Sequence, residues 1–304
     1  MKKVLLGTSA LVLSAGVAFA EAHSGVSVGG AADMWVSDSG APGSDIQINN
    51  SIEITFAGSG ETDGGLGFGF DYTLLDATSA ASVADNTVLP ADTDTANDSI
   101  GGGASAVDNW EVYISGSWGK IVVGDPDDAL QSVAGLGDIG FDGLGVDNVA
   151  ETNRGAGASS GVLYSNTLGM ATVYLSMNKN TGVDDIAAGV KVAAGAVTIG
   201  LGYEDASSIG DTITAIDVSG DLGGLGFDVY YDDSDLGGNH YGTILSYDAG
   251  AATLQLGYAD GDSVADAAMG IGFSMDLGGG AELAGGVADN GTNTSWDLGI
   301  GMSF

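Results

Sequence analysis

The sequence predicts an all-β protein, a 16-stranded antiparallel transmembrane β-barrel. Three observations support this prediction. Apolar residues alternate with small or polar residues in many short segments, which is the period of a β-strand. Glycine occurs 54 times and proline 3 times, and there is no cysteine to supply disulfides. Tight glycine-rich turns alternate with connections that are mostly longer and acidic, as in barrels with short periplasmic turns and longer outer loops.

The alternation of apolar and polar residues is clearest at the end of the sequence. Every second residue from Trp296 to Phe304 is apolar, and Asp, Gly or Ser lies between. The segments Phe68–Leu74 and Val197–Tyr203 repeat this pattern. One apolar and one small or polar face on each strand suit a barrel with lipid outside and water inside. We therefore expect an aqueous lumen without a packed core.

The strand prediction places boundaries to within a few residues. The predicted strands are 24–37, 46–57, 65–75, 108–115, 120–124, 161–165, 170–178, 185–194, 196–203, 212–220, 224–232, 239–248, 251–259, 265–276, 281–288 and 294–304. A short helix is predicted after 120–124, with Asp125 as its N-cap and Pro126 as its first residue. Outward-facing tyrosines near strand ends could form an interfacial girdle, with Tyr174, Tyr203, Tyr231, Tyr247 and Tyr258 as candidates.

The first 20 residues have the pattern of a secretory signal peptide. Lys2 and Lys3 form a basic head, residues 4–17 are largely apolar, and Ala18-Phe19-Ala20 is a small-x-small cleavage site. We therefore expect residues 1–20 to be removed during export and residues 21–304 to form the barrel domain.

The charge of the chain is strongly negative, with 41 acidic and 6 basic residues and a net charge of −35. Without the predicted signal peptide, the basic residues are Lys120, Arg154, Lys179 and Lys191. Such a chain repels nucleic acid and anionic lipid at long range and attracts cations. Acidic adaptation for solubility is an alternative explanation of the same composition.

Three stretches resemble one known family, the alphaproteobacterial (Rhodobacter-type) general-diffusion outer-membrane porins. Residues 58–68 (GSGETDGGLGF) resemble the first periplasmic turn, 115–125 (SGSWGKIVVGD) the hairpin before the constriction loop, and 276–290 (DLGGGAELAGGVADN) a closing strand. The resemblance covers residues 21–304 and implies a homotrimer in the outer membrane of a Gram-negative bacterium. It also implies that Phe304 is the recognition signal for the barrel-assembly machinery.

The resemblance implies that the third long loop, about residues 125–160, folds inward as the constriction loop of the pore. We call this segment the inner loop. Arg154 is expected to pair with a loop acid. Several acidic residues of the loop are implied to line the constriction, and the candidates are Asp125, Asp127, Asp128, Asp138, Asp142, Asp147 and Glu151.

The family pattern of basic residues opposite the loop is missing here, since residues 21–119 contain no Lys or Arg. Asp33 stands where a family arginine is expected, and Glu53 and Asp71 have inward parity. Lys120 and Lys191 are candidates to face the lumen. Because carboxylates in a pore favour cations, we expect a cation-selective channel for passive diffusion of small hydrophilic solutes and ions.

Carboxylate clusters can also hold calcium, so Asp142, Asp147 and Glu151 are candidate ligands, although no calcium loop of fixed spacing is present. No other cofactor is predicted.

Three other classes of protein fit the sequence less well. A different outer-membrane barrel, either an adhesin or a substrate-selective channel, has the same strand pattern. A secreted calcium-binding β-roll would explain residues 223–230 (GGLGFDVY) and 64–68 (GGLGF), but the tandem array it requires is missing. An enzyme is not predicted, because His23 and His240 are the only histidines and no motif pairs either with a nucleophile.

Overall fold

The computed structural model describes residues 24–78, 107–154, 161–180 and 183–304. The predicted signal peptide, most of the connection at 76–107 and residues 155–160 of the inner loop lie outside these ranges. Within them, sixteen strands form one closed antiparallel barrel. The strands are β1 Ser24–Asp38, β2 Gln47–Glu61, β3 Gly67–Thr78, β4 Val107–Gly116, β5 Gly119–Gly124, β6 Val162–Leu168, β7 Ala171–Asn180, β8 Val183–Ala194, β9 Val197–Ala206, β10 Asp211–Asp221, β11 Leu225–Ser234, β12 Gly238–Asp248, β13 Thr253–Gly261, β14 Ala268–Gly278, β15 Ala281–Asp289 and β16 Thr294–Ser303.

The barrel closes where β1 pairs with β16. Asp38 lies opposite Trp296 at one end of this seam, and Ala31 lies opposite Ser303 near the other. Beyond β16, the Phe304 N–H donates to the carbonyl of Gly30 at 2.9 Å, and the Gly30 N–H donates back at 3.3 Å. Closure pairs the edge strands with each other, so the sheet formed by the described residues has no open edge towards lipid.

The two faces of the barrel differ as the alternation predicts. Along β2, Ile48, Ile52 and Ile54 are exposed on the outer face, whereas Ser51 is buried on the inner face and Glu53 is half-buried there. Tyr203, Tyr231 and Tyr247 are exposed, and the register places Tyr258 on the same outer face. The prediction for Tyr174 is wrong, because it pairs with Gly189 and packs against the apolar core inside the barrel.

The predicted tight glycine-rich turns are confirmed, and they lie at one end of the barrel, at 62–66, 117–118, 169–170, 195–196, 222–224, 249–252 and 279–280. At the other end, the connections are longer on average, as predicted, with 39–46, 125–161 and 262–267 as examples. The segments 207–210, 235–237 and 290–293 are as short as the turns opposite. The connection from β5 to β6 is long, and it carries the inner loop.

The inner loop contains one helix among its described residues, α1 at Val146–Ala150, which the sequence pattern did not predict. The helix predicted at Pro126 is absent. Residues 129–133 instead form hydrogen-bonded turns, and the Asp128 carboxylate accepts the Gln131 N–H at 2.8 Å. The capping carboxylate is therefore that of Asp128 and not that of Asp125. Among the described residues, no helix is long and apolar enough to cross a membrane.

Candidate functional site: a loop seated inside the barrel

The inner loop lies against the inner face of β7–β16, which we call the covered wall. It meets the wall first at β7, where the Ala129 N–H donates to Ser176 Oγ at 2.9 Å. It then follows the wall as far as β1, where the ring of Phe141 lies 5.8 Å from that of Trp35. The inner face of β1–β5, the open wall, is left to line the remaining lumen.

An apolar core lies between the inner loop and the covered wall. Leu130, Val133 and Ile139 of the loop are fully buried, and so are Ile213 and Tyr230 of the wall. The expectation of a lumen without a packed core is therefore wrong for this half of the barrel. Burial of a Leu or Ile side chain stabilises by about 1.5–3 kcal/mol, so this core holds the loop as firmly as ordinary tertiary structure.

Glycines of the covered wall let the loop backbone approach the strands closely. A Cβ atom built on Gly200 would lie 1.8 Å from the Val133 carbonyl oxygen, and one on Gly189 would lie 2.4 Å from that of Ala129. Neither distance is tolerated by real Cβ atoms, so any larger residue would displace the loop or the strand. The abundance of glycine therefore reflects close packing here as well as an open lumen.

The tip of the inner loop is held by Asp297 of β16. One carboxylate oxygen, Oδ2, accepts the Phe141 N–H at 2.9 Å and the Asp142 N–H at 2.8 Å. Gly140 precedes these donors with a φ of 91°, a left-handed conformation that glycine adopts without strain. Asp297 was not among the predicted site residues.

The returning end of the loop is held by Asn153 in a buried polar network. Its amide donates to Asp232 Oδ1 at 2.8 Å and to the Gly238 carbonyl at 2.9 Å, and it contacts His240 Nδ1 at 2.8 Å. The other ring nitrogen of His240 lies 2.6 Å from Ser263 Oγ. Because Asn153, Asp232 and His240 are all buried, removal of any one leaves polar groups without partners.

The acidic residues of the inner loop do not all face the channel. Asp127 is exposed, while Asp125, Asp138 and Asp142 are half-buried. Of the seven candidates, Asp128 and Asp147 are buried beneath the loop surface. Burial raises the pKa of Asp128, although the Gln131 and Leu130 N–H groups oppose the shift.

A compact charged cluster lies inside the loop, around the helix α1. Burial, together with the neighbouring Asp138 and Glu151 carboxylates, raises the pKa of Asp147 to about 8. Glu151 accepts the Leu136 N–H and pairs with Arg154, whose Nη1 is 2.6 Å from Glu151 Oε2. Burial raises the pKa of Glu151, and the Arg154 guanidinium opposes that shift.

Calcium binding by Asp142, Asp147 and Glu151 stays a prediction. In the part of the chain that the structure describes, no three acidic or histidine side chains are grouped as a metal ion would require. Asp142 lies at the loop tip beside Asp297, whereas Asp147 and Glu151 belong to the cluster at α1.

The open wall carries the other predicted site residues. Asp33, Glu53 and Asp71 are half-buried on the inner face, and Ser51 donates to Asp33 Oδ2 at 2.9 Å. Lys120 is also on this face, with its Nζ 4.2 Å from the centre of the Tyr113 ring. Lys191 is inward on the covered wall, close enough to Asp217 and Asp228 to attract both carboxylates.

Glu111 also belongs to the open wall, although it is not among the site residues predicted from the sequence. It lies directly opposite Asp71 in the pairing of β3 with β4. The signal was present, since Trp110 and Val112 on either side are apolar and outward, which gives Glu111 inward parity.

Comparisons with known proteins agree with this geometry. The model of a family described as "Gram-negative porin" matches residues 7–295. A curated protein named "Porin" from Rhodobacter capsulatus is 27% identical over 312 residues, covering 86% of this chain and 95% of the relative. A solved structure of a mutant Rh. blastica porin has a TM-score of 0.71 at 18% identity, covering 92% of this chain and 100% of that chain. A triple mutant of Rhodopseudomonas blastica porin has a TM-score of 0.70 with the same identity and coverage.

Proposed function

We propose that this chain, which belongs to the Gram-negative porin family, lets small hydrophilic solutes and ions diffuse across the outer membrane and favours cations over anions. Family membership makes the protein an outer-membrane porin, a β-barrel channel. The preference for cations is our inference from the open wall. The family is one of channels, and our proposal includes no catalytic step.

The observation that carries the proposal is the charge of the open wall. Five carboxylates of β1–β4 have inward parity, those of Asp33, Glu53, Asp71 and Glu111 and, at the turn end of β2, that of Glu61, and a single cation, Lys120, stands beside them. The family arrangement of basic residues opposite the loop would produce a transverse field, and here that wall is acidic instead. A permeating ion therefore passes between an acidic wall and a loop that also carries exposed acid at Asp127. Low-dielectric walls focus such a field and raise the local cation concentration.

The experiment that tests selectivity is a reversal-potential measurement in a planar bilayer under a KCl gradient. We expect a cation-favouring potential for the wild type and a smaller one for the double variant Glu53→Gln/Asp71→Asn. The matched control is Asp63→Asn/Asp266→Asn, which removes two carboxylates from exposed connections at the two ends of the barrel. It should keep the wild-type potential, because charges outside the lumen are screened within about 8–10 Å at moderate salt.

The same recordings separate the channel from its selectivity. Conductance with no cation preference would refute the acidic-wall argument and leave the porin function intact. An equal loss of preference in the control pair would assign selectivity to overall charge and not to the open wall. We also propose a homotrimer, as the family resemblance implies, and expect openings in groups of three.

Export completes the proposal. The pattern of residues 1–20 supports delivery to the periplasm by a cleaved signal peptide, and Phe304 supports recognition by the barrel-assembly machinery. Outer-membrane lipid would then contact the apolar outer face, and nucleic acid is not an expected partner.

A further inference from the structure

We propose that Asp297 is the positioning residue of the constriction, because it clamps the tip of the inner loop across the seam where β1 meets β16. This inference rests on the channel function, since its readout is the current through the pore. It adds a residue from the far end of the sequence to the features that set the width of the channel.

The contacts at the seam come from both strands. On β16, Asp297 Oδ2 accepts the two consecutive N–H groups of Phe141 and Asp142. On β1, the Trp35 side chain is buried and packs against the Phe141 ring at 5.8 Å, with the ring planes tilted by 38°. A carboxylate oxygen has two lone pairs, so Oδ2 can accept both N–H groups at once, which suits this side chain for the position.

The packing behind the tip decides which way a released loop can move. A Cβ atom on Gly299 would lie 2.5 Å from the Phe141 ring, and one on Gly286 would lie 3.1 Å from Gly140 Cα. The strands themselves are fixed by hydrogen bonds on both sides. A tip that leaves Asp297 therefore cannot retreat towards the wall and moves into the lumen, where it narrows the pore.

Substitution of Asp297 by Ala removes the acceptor, and Asp297→Asn keeps a neutral one. In single-channel recordings, we expect Asp297→Ala to raise the fraction of time in reduced-conductance states by about tenfold or more, the factor for losing the two hydrogen bonds that Asp297 accepts. Asp297→Asn should lie between Asp297→Ala and the wild type. The charge-matched control is Glu282→Gln, which removes an inward and exposed carboxylate from the neighbouring β15. This variant should spend no more time in reduced-conductance states than the wild type.

A disulfide tether distinguishes loop release from general damage to the barrel. A Cβ atom on Gly272 would lie 3.0 Å from the Gly140 nitrogen, so a cysteine pair that includes this position is also recorded with Asp297 intact to measure its own effect on the loop. The same Cβ atom would lie 3.0 Å from Ile139 Cγ2. The two Cβ atoms are therefore no more than about 4.5 Å apart, which a disulfide can bridge. The natural chain has no cysteine, so Ile139→Cys/Gly272→Cys in the Asp297→Ala background would form a single defined bond.

Oxidation of this pair should restore steady current, and reduction should bring the reduced-conductance states back. The proposal is overturned if Asp297→Ala is as steady as Glu282→Gln, or if oxidation leaves its current unsteady. Where Asp297→Ala does not fold, Asp297→Asn with the same cysteine pair carries the test. Wild-type conductance in the same bilayer tests the channel function separately.

Discussion

Substitution of Gly200 by Ala should push the inner loop off the covered wall. The added Cβ would lie 1.8 Å from the Val133 carbonyl oxygen, whereas a relaxed carbon–oxygen contact is about 3.3 Å. The carbonyl must therefore retreat by about 1.5 Å. Strand β9 is hydrogen-bonded to both β8 and β10, so most of this shift falls on the loop. Overpacking of a close-fitting interior costs about 1–3 kcal/mol.

Single-channel conductance and the midpoint of thermal unfolding measure the two consequences. We expect Gly200→Ala to lower both, because the displaced loop narrows the lumen and the core beneath it is strained. The matched control is Gly25→Ala on β1, since a Cβ there meets nothing within 4 Å. Equal conductance and equal midpoints for the two variants would refute the close packing of loop and wall.

Two further predictions concern the interior of the loop. The pKa of Asp147 is raised from 3.8 to about 8, so the folded chain holds a proton that the unfolded chain has already released, and stability from this group declines as the pH rises through that window. Asp147→Asn should remove this part of the decline, measured as unfolding midpoints at several pH values. The exposed-site variant Asp127→Asn should keep the wild-type decline. Equal pH profiles for all three proteins would contradict the burial argument. Asn153→Leu should destabilise the folded protein by about 1–3 kcal/mol, because Asp232 and His240 lose a buried partner. In denaturant unfolding, the exposed-site control Thr152→Val should stay near the wild type, and an unchanged Asn153→Leu would show that the buried network contributes no stability.

The barrel could be predicted from the sequence because its strands are encoded locally. The alternation at 294–304 predicts the observed strand Thr294–Ser303 almost to the residue, and 281–288 predicts Ala281–Asp289. The polarity of each residue in such a strand indicates which face its side chain occupies, since lipid and water lie on opposite sides. The boundaries of the strand predicted at 65–75 are less accurate, since the observed strand is Gly67–Thr78. Glycine occurs in both turn and strand at its start, and pairing with β2 extends its end to Thr78.

The position of the inner loop against the covered wall could not be predicted, because it depends on contacts between residues far apart in the sequence. Asp297 and Phe141 are separated by 156 positions, and by itself Asp297 is one more inward polar residue of an alternating strand. In the same way, Gly200 has the inward parity of a lumen residue, and the carbonyl that lies against it belongs to Val133. Period-two alternation indicates which face a residue occupies and carries no information about a loop that covers that face.

The inner loop also decides which carboxylates act on a permeating ion. Glu204 and Asp217 have inward parity on the covered wall, yet both are buried beneath the loop. A carboxylate enclosed by protein does not meet the permeating solution, whereas Glu53 and Asp71 on the open wall remain partly exposed to it. The total of 41 acidic residues therefore overstates the charge that an ion encounters, and the proposed selectivity depends on the few carboxylates that the loop leaves uncovered. By fixing the tip of that loop, Asp297 would influence both the width of the pore and the set of charges that line it.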